Sequence, residues 1–174
     1  MMPMHYVNKS WTNPLHAPQK TEPYFTIRVD ATWNYVAGDT VEGTIIADQH
    51  YFEGFLVQAH NSRKSSSWRP VGDFSIVHSD VQLACSGQAV THSQHKHYQY
   101  ATFFWTAPAV RERTCIHFVA TIVKGYSTFF MGVTSKEVCI DPIDGMGSAP
   151  ADVRAGTTGL LLLLALTTAL FARA

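Results

Sequence analysis

The chain lacks a net charge: thirteen basic side chains balance thirteen acidic ones. That balance creates no field for nucleic acid or an acidic membrane surface, so nucleic acid is not expected as a partner. Catalytic signatures are missing too. No Gly-x-Ser-x-Gly, His-Glu-x-x-His or Gly-rich phosphate loop occurs, which removes the motif-borne routes to acyl transfer, zinc hydrolysis and phosphoryl transfer. A non-enzymatic protein with no cofactor is expected. Sustained helical periodicity is also wanting: no stretch before residue 159 keeps an apolar period near 3.6 for about a dozen positions, which argues against a bundle and a βαβ sheet. Cysteine is scarce. Cys85, Cys115 and Cys139 are an odd set, so they cannot all pair within the chain. The opening run, Met1-Met2-Pro3-Met4-His5-Tyr6-Val7-Asn8-Lys9-Ser10, contains no apolar segment of the kind a secretion signal needs.

What the chain does have is a greasy end. Leu160 to Ala172 is almost wholly apolar and would span about 20 Å as a helix at ~1.5 Å per residue, short of the ~20 residues that cross a bilayer comfortably. Upstream stand the small residues Gly145-Met146-Gly147-Ser148-Ala149-Pro150 and a mostly polar spacer. Small site, spacer and apolar tail form the pattern of a glycolipid (GPI) anchor signal, with Gly147 and Ser148 as attachment candidates. The alternative is one spanning helix that extends back to Ala155. A buried amphipathic helix is disfavoured because the five consecutive leucines leave no polar face. An export-type tail on a chain with no signal at its start leads to the expectation that the sequence begins late, its signal lying upstream of Met1; a tail-anchored cytosolic protein is the competing account.

Between the ends the pattern is β. Residues 24–29 and 39–47 alternate with period two around the turn Ala37-Gly38-Asp39, and further β-rich runs are expected at 54–59, 72–76, 81–85, 100–106, 114–123 and 129–140. Short strands with Gly, Pro, Ser and Asp punctuation and no intervening helices predict an all-β antiparallel sandwich. In 114–123, Ile116, Phe118, Ala120 and Ile122 share the face better suited to the core. Residues 1–23 read as an extended lead-in, 62–67 as a polar inter-strand loop, 141–158 as spacer and 159–174 as the anchor signal or membrane helix.

Gly38-Asp39-Thr40-Val41, Phe52-Glu53-Gly54-Phe55-Leu56-Val57-Gln58-Ala59, Gly72-Asp73-Phe74, Cys85, Val90-Thr91-His92-Ser93, Phe104-Trp105-Thr106-Ala107-Pro108 and Phe118-Val119-Ala120-Thr121-Ile122-Val123 come in the order and spacing of the reelin (reeler) domain. The chain resembles that family from about Met2 to Val138, and the domain is placed at residues 1–140. The resemblance implies an immunoglobulin-like β-sandwich, an extracellular location and a disulfide between Cys115 and Cys139. It also implies that Cys85 pairs with an opening cysteine, whose place here lies upstream of Met1. Family members include matrix proteins, small secreted insect defence proteins and the outer module of ferric-chelate-reductase-like membrane proteins. In the last group the redox chemistry belongs to additional haem-binding and membrane domains, so the resemblance does not imply reductase activity.

These features imply a cell-surface or secreted module whose partner is an extracellular protein or glycan, attached to the membrane through its C-terminus and acting in adhesion or innate defence. Trp68, Tyr98 and Tyr100 are the candidate contact aromatics, lying beside polar loops, and Asn8 in Asn8-Lys9-Ser10 is the glycosylation candidate. The alternative is a metal-handling or redox accessory protein using His92, His95 and His97, three imidazoles close together in sequence. Against it stand Lys96 among the ligands and the lack of a carboxylate nearby in sequence to orient them. Glu53 and Asp73, acidic and next to glycines, are expected to serve turns and surface.

Overall fold

A computed structural model describes residues 17–32, 34–63 and 69–143. Among the described residues eleven strands run in chain order: β1 (Phe25–Val29), β2 (Asn34–Tyr35), β3 (Thr40–Ala47), β4 (Gly54–Asn61), β5 (Asp73–Ser75), β6 (Val81–Ala84), β7 (Ala89–His92), β8 (Tyr100–Thr106), β9 (Thr114–Gly125), β10 (Thr128–Thr134) and β11 (Val138–Ile140). They form a four-stranded sheet in the order β1-β3-β8-β5 and a seven-stranded sheet in the order β2-β11-β9-β4-β7-β6, with β10 paired to β9. Every pairing is antiparallel except the short one between β11 and β2. Among the described residues no helix is long and apolar enough to cross a membrane. The C-terminal tail, with its anchor candidates Gly147 and Ser148, lies outside the described residues, as do Asn8 and Trp68.

Alternation produces the core. The inward residues of β3, Val41 and Ile45, face those of β9, and Ile116, Phe118, Ala120 and Ile122 are all essentially sealed from solvent. At the centre Phe118 meets Phe103 at 5.2 Å and Trp105 edge-on at 5.5 Å, geometries favoured by the ring quadrupole. The Trp105 indole N–H, buried by this packing, donates to the Val71 carbonyl at 2.8 Å. Gly72, next in sequence, has φ of +68°, and a Cβ there would stand 2.5 Å from the indole. The chain can turn against Trp105 only because no side chain intervenes.

Two short strands, β2 and β7, are absent from the sequence expectation, and the run 129–140 is two strands rather than one. The break has a visible cause. Ser135, only 7% exposed, accepts the Phe118 N–H on Oγ at 3.0 Å and donates its own N–H to the Phe118 carbonyl at 2.9 Å. Its side chain thus takes a ladder position, and beyond it the chain re-enters as β11 beside the start of β9. There Cys139 stands directly opposite Cys115, and the two are joined by a disulfide.

Candidate functional site

At one end of the sandwich, two connections are sutured together. The β3–β4 connection, 48–53, and the β7–β8 connection, 93–99, meet where Phe52 and Tyr98 exchange both backbone hydrogen bonds, at 3.0 and 2.8 Å. Tyr98 lies beneath this junction, 2% exposed. Its ring stacks on Phe52 at 5.5 Å and its hydroxyl donates to the Gln94 carbonyl at 2.8 Å. Burial raises its pKa. Tyr98 is therefore floor, and its placement among contact residues is corrected: a phenol that satisfies its hydroxyl within its own loop can be enclosed. Tyr100 remains a surface candidate, 70% exposed.

Above that floor opens a groove of about 690 Å³. His97 stacks on Tyr51 with ring centroids 3.9 Å apart, and its Nε2 lies 3.4 Å from Glu53 Oε1. Lys96 forms an ion pair with Asp80 at 2.6 Å and stands 4.9 Å above the Tyr98 ring. The hydrogen bond to Asp80 raises the lysine's pKa. On the far wall Lys124 covers Tyr24, which is itself packed against His50 at 4.0 Å. The surface is made of flat rings and paired charges rather than a field of one sign.

His92, His95 and His97 do not share a task. His92 packs its ring against Gly54, where a Cβ would lie 2.8 Å away, and its Nδ1 accepts the Phe55 N–H at 3.2 Å. An accepting Nδ1 puts the proton of the neutral ring on Nε2, so neither nitrogen offers a lone pair to a metal. His97 is engaged with Tyr51 and Glu53, and His95 is exposed. Among the described residues the tight grouping of metal-ligating atoms is Cys115, Glu137 and Cys139, and its two sulfurs are already bonded to each other. Glu53 and Asp73 lie in different parts of the fold: Glu53 ends the β3–β4 connection and turns to His97, while Asp73 belongs to β5 of the four-stranded sheet. Tyr51, Asp80 and Lys124 joined the site unannounced, because nothing in the local sequence tells which loops meet.

The chain matches the Reeler domain family over residues 1–143. It belongs to that family. It is 33% identical over 160 residues to a Danio rerio protein provisionally named ferric-chelate reductase 1, an alignment that takes in 88% of this chain and 26% of that protein. A protein of Antheraea mylitta provisionally named defense protein 3 is 32% identical over 109 residues, 60% of this chain and 63% of its own length. The Reeler chain thus spans about a quarter of the first relative and less than two thirds of the second. Crystal structures of the F-spondin reeler domain share its fold: the human domain (fragment 1) has a TM-score of 0.59 at 22% identity, covering 73% of this chain and 96% of that one. A second, the Reelin-N domain of F-spondin, has a TM-score of 0.56 at 23% identity, covering 73% and 93%.

Proposed function

We propose that this Reeler chain is a non-enzymatic extracellular module on an immunoglobulin-like sandwich, displayed at the cell surface through its C-terminal tail, that contacts a protein or glycan in adhesion or innate defence. The groove carries this reading. The Tyr51–His97 stack and exposed Tyr100 offer flat, rigid contact area, which loses little side-chain entropy on binding, and both loops are pinned by the Phe52–Tyr98 exchange. The defence-protein name of the moth relative supports the biological setting. Reductase activity has weaker support, since the zebrafish protein extends far beyond the part this chain matches.

The test is binding of the purified, fluorescently labelled chain to intact bacterial cells, to animal cells and to immobilised polysaccharides, set against a Tyr51→Ala/Tyr100→Ala variant. Saturable binding to one of these surfaces, weakened about tenfold or more in the variant as expected for loss of aromatic anchors, supports the assignment. Equal binding by both proteins removes the groove from it. Reduction of a ferric chelate by the purified chain with NADH, above the protein-free rate, would overturn the non-enzymatic part.

A further inference from the structure

On the outer face of the seven-stranded sheet, His60 of β4 stands directly opposite His117 of β9 in the antiparallel register. Cross-strand neighbours hold their Cβ atoms about 4.5–5.5 Å apart, a spacing from which two imidazoles can converge on one ion at nitrogen–metal distances of about 2.0–2.1 Å. Both residues are half-buried. His117 Nδ1 lies 3.2 Å from the Ser135 carbonyl oxygen. A carbonyl only accepts, so Nδ1–H donates and the neutral ring presents the bare lone pair of Nε2. This is the arrangement in which ligating histidines are held, with the second nitrogen fixed by a carbonyl. The anchor is firm, because Ser135 is bound to Phe118 through both its backbone N–H and its hydroxyl.

Two positions along β9 from His117 lies the Cys115–Cys139 disulfide, with a Glu137 carboxylate oxygen within 4.8 Å of its sulfurs. That carboxylate stands beside the disulfide, which neighbours His117 along β9. None of these residues belongs to the groove.

We propose that His60 and His117 form a binding site for a divalent transition-metal ion on the outer face of the sheet, taking Cu²⁺ in preference to Zn²⁺. The preference follows from the order of affinities of imidazole donors for first-row ions. This site is independent of the contact function and of the 92–97 loop.

The experiment is titration of the full, tag-free chain with Cu²⁺ near neutral pH, followed by calorimetry and by paramagnetic broadening of its amide NMR signals. Saturable binding with broadening centred on β4 and β9 around His60, His117 and Ser135 is expected. His60→Gln and His117→Gln should each weaken binding about tenfold or more, as even removal of an orienting partner does, while His95→Gln/His97→Gln should leave it unchanged. Broadening centred on residues 92–97, wild-type affinity in both single variants, or no saturable binding would overturn the site. If a glutamine variant fails to fold, the broadening map of the unsubstituted chain decides.

Discussion

Along β9 the inward residues Ile116, Phe118, Ala120 and Ile122 are sealed into an apolar, aromatic-rich core, whereas the outward residues of the same strand carry a disulfide at Cys115 and a carbonyl-anchored imidazole at His117. The backbone is shared, but the physics of the two faces is not. Inward residues are chosen by volume and water exclusion, so any well-shaped hydrophobe would serve. Outward residues are chosen by what stands beside them on β4, β10 and β11, and their chemistry depends on those partners. The core face therefore explains why the Reeler domain folds, and the outer face and the loop end are where its chemistry is to be sought.

The sharpest way to test that contrast is at its centre. Phe118→Ala should lower unfolding free energy by about 3–5 kcal/mol, the range for deleting an enclosed phenylalanine, and urea unfolding should show a lower midpoint with an unchanged slope. Val119→Ala on the outer face should cost only a small part of that; equal losses would erase the distinction between the faces. Next in size is the covalent link. Cys115→Ser/Cys139→Ser should lose about 3 kcal/mol, from the loop-closure entropy of the sequence separation of 24, as read by denaturation of the oxidised wild type against the variant. Full retention of stability would mean that the outer face holds β11 in place without its bond.

The smallest effect lies in pH. Because burial holds the His60 pKa below its ordinary value of 6.5, the unfolded chain takes up this proton first as pH falls. The neutral ring's contribution is fully present above about pH 6.5, declines as pH drops through that value, and levels off below the folded-state pKa. The thermal midpoint of His60→Gln should therefore fall less between neutral pH and pH 5 than that of the wild type. Parallel curves would show that this imidazole is as well solvated as an exposed one.

The strands at 100–106 and 114–123 were legible because alternation with period two is written in consecutive residues, and Ile116, Phe118, Ala120 and Ile122 were assigned to the core on that pattern alone. The split at Ser135 was not legible, since it depends on a serine hydroxyl standing in for a ladder partner on a strand many residues away. Tyr98 and Tyr100 read alike in sequence, both aromatic and both beside the histidine loop. Only the Phe52–Tyr98 exchange of backbone hydrogen bonds turns one into floor and leaves the other in solvent. Closeness in sequence likewise made His92, His95 and His97 look like a cluster, although the loop sends them to separate partners, while His60 and His117 carried no signal of their juxtaposition.

The amino-acid sequence by itself determined the class of this protein, a neutral all-β Reeler domain, because burial periodicity and the family's strings are local properties of the chain. Tertiary structure alone decided which loops enclose a groove, which tyrosine faces water and which two histidines meet across β4 and β9. Those are matters of strand register and sheet order, set by contacts between residues far apart in sequence, and no local pattern encodes them.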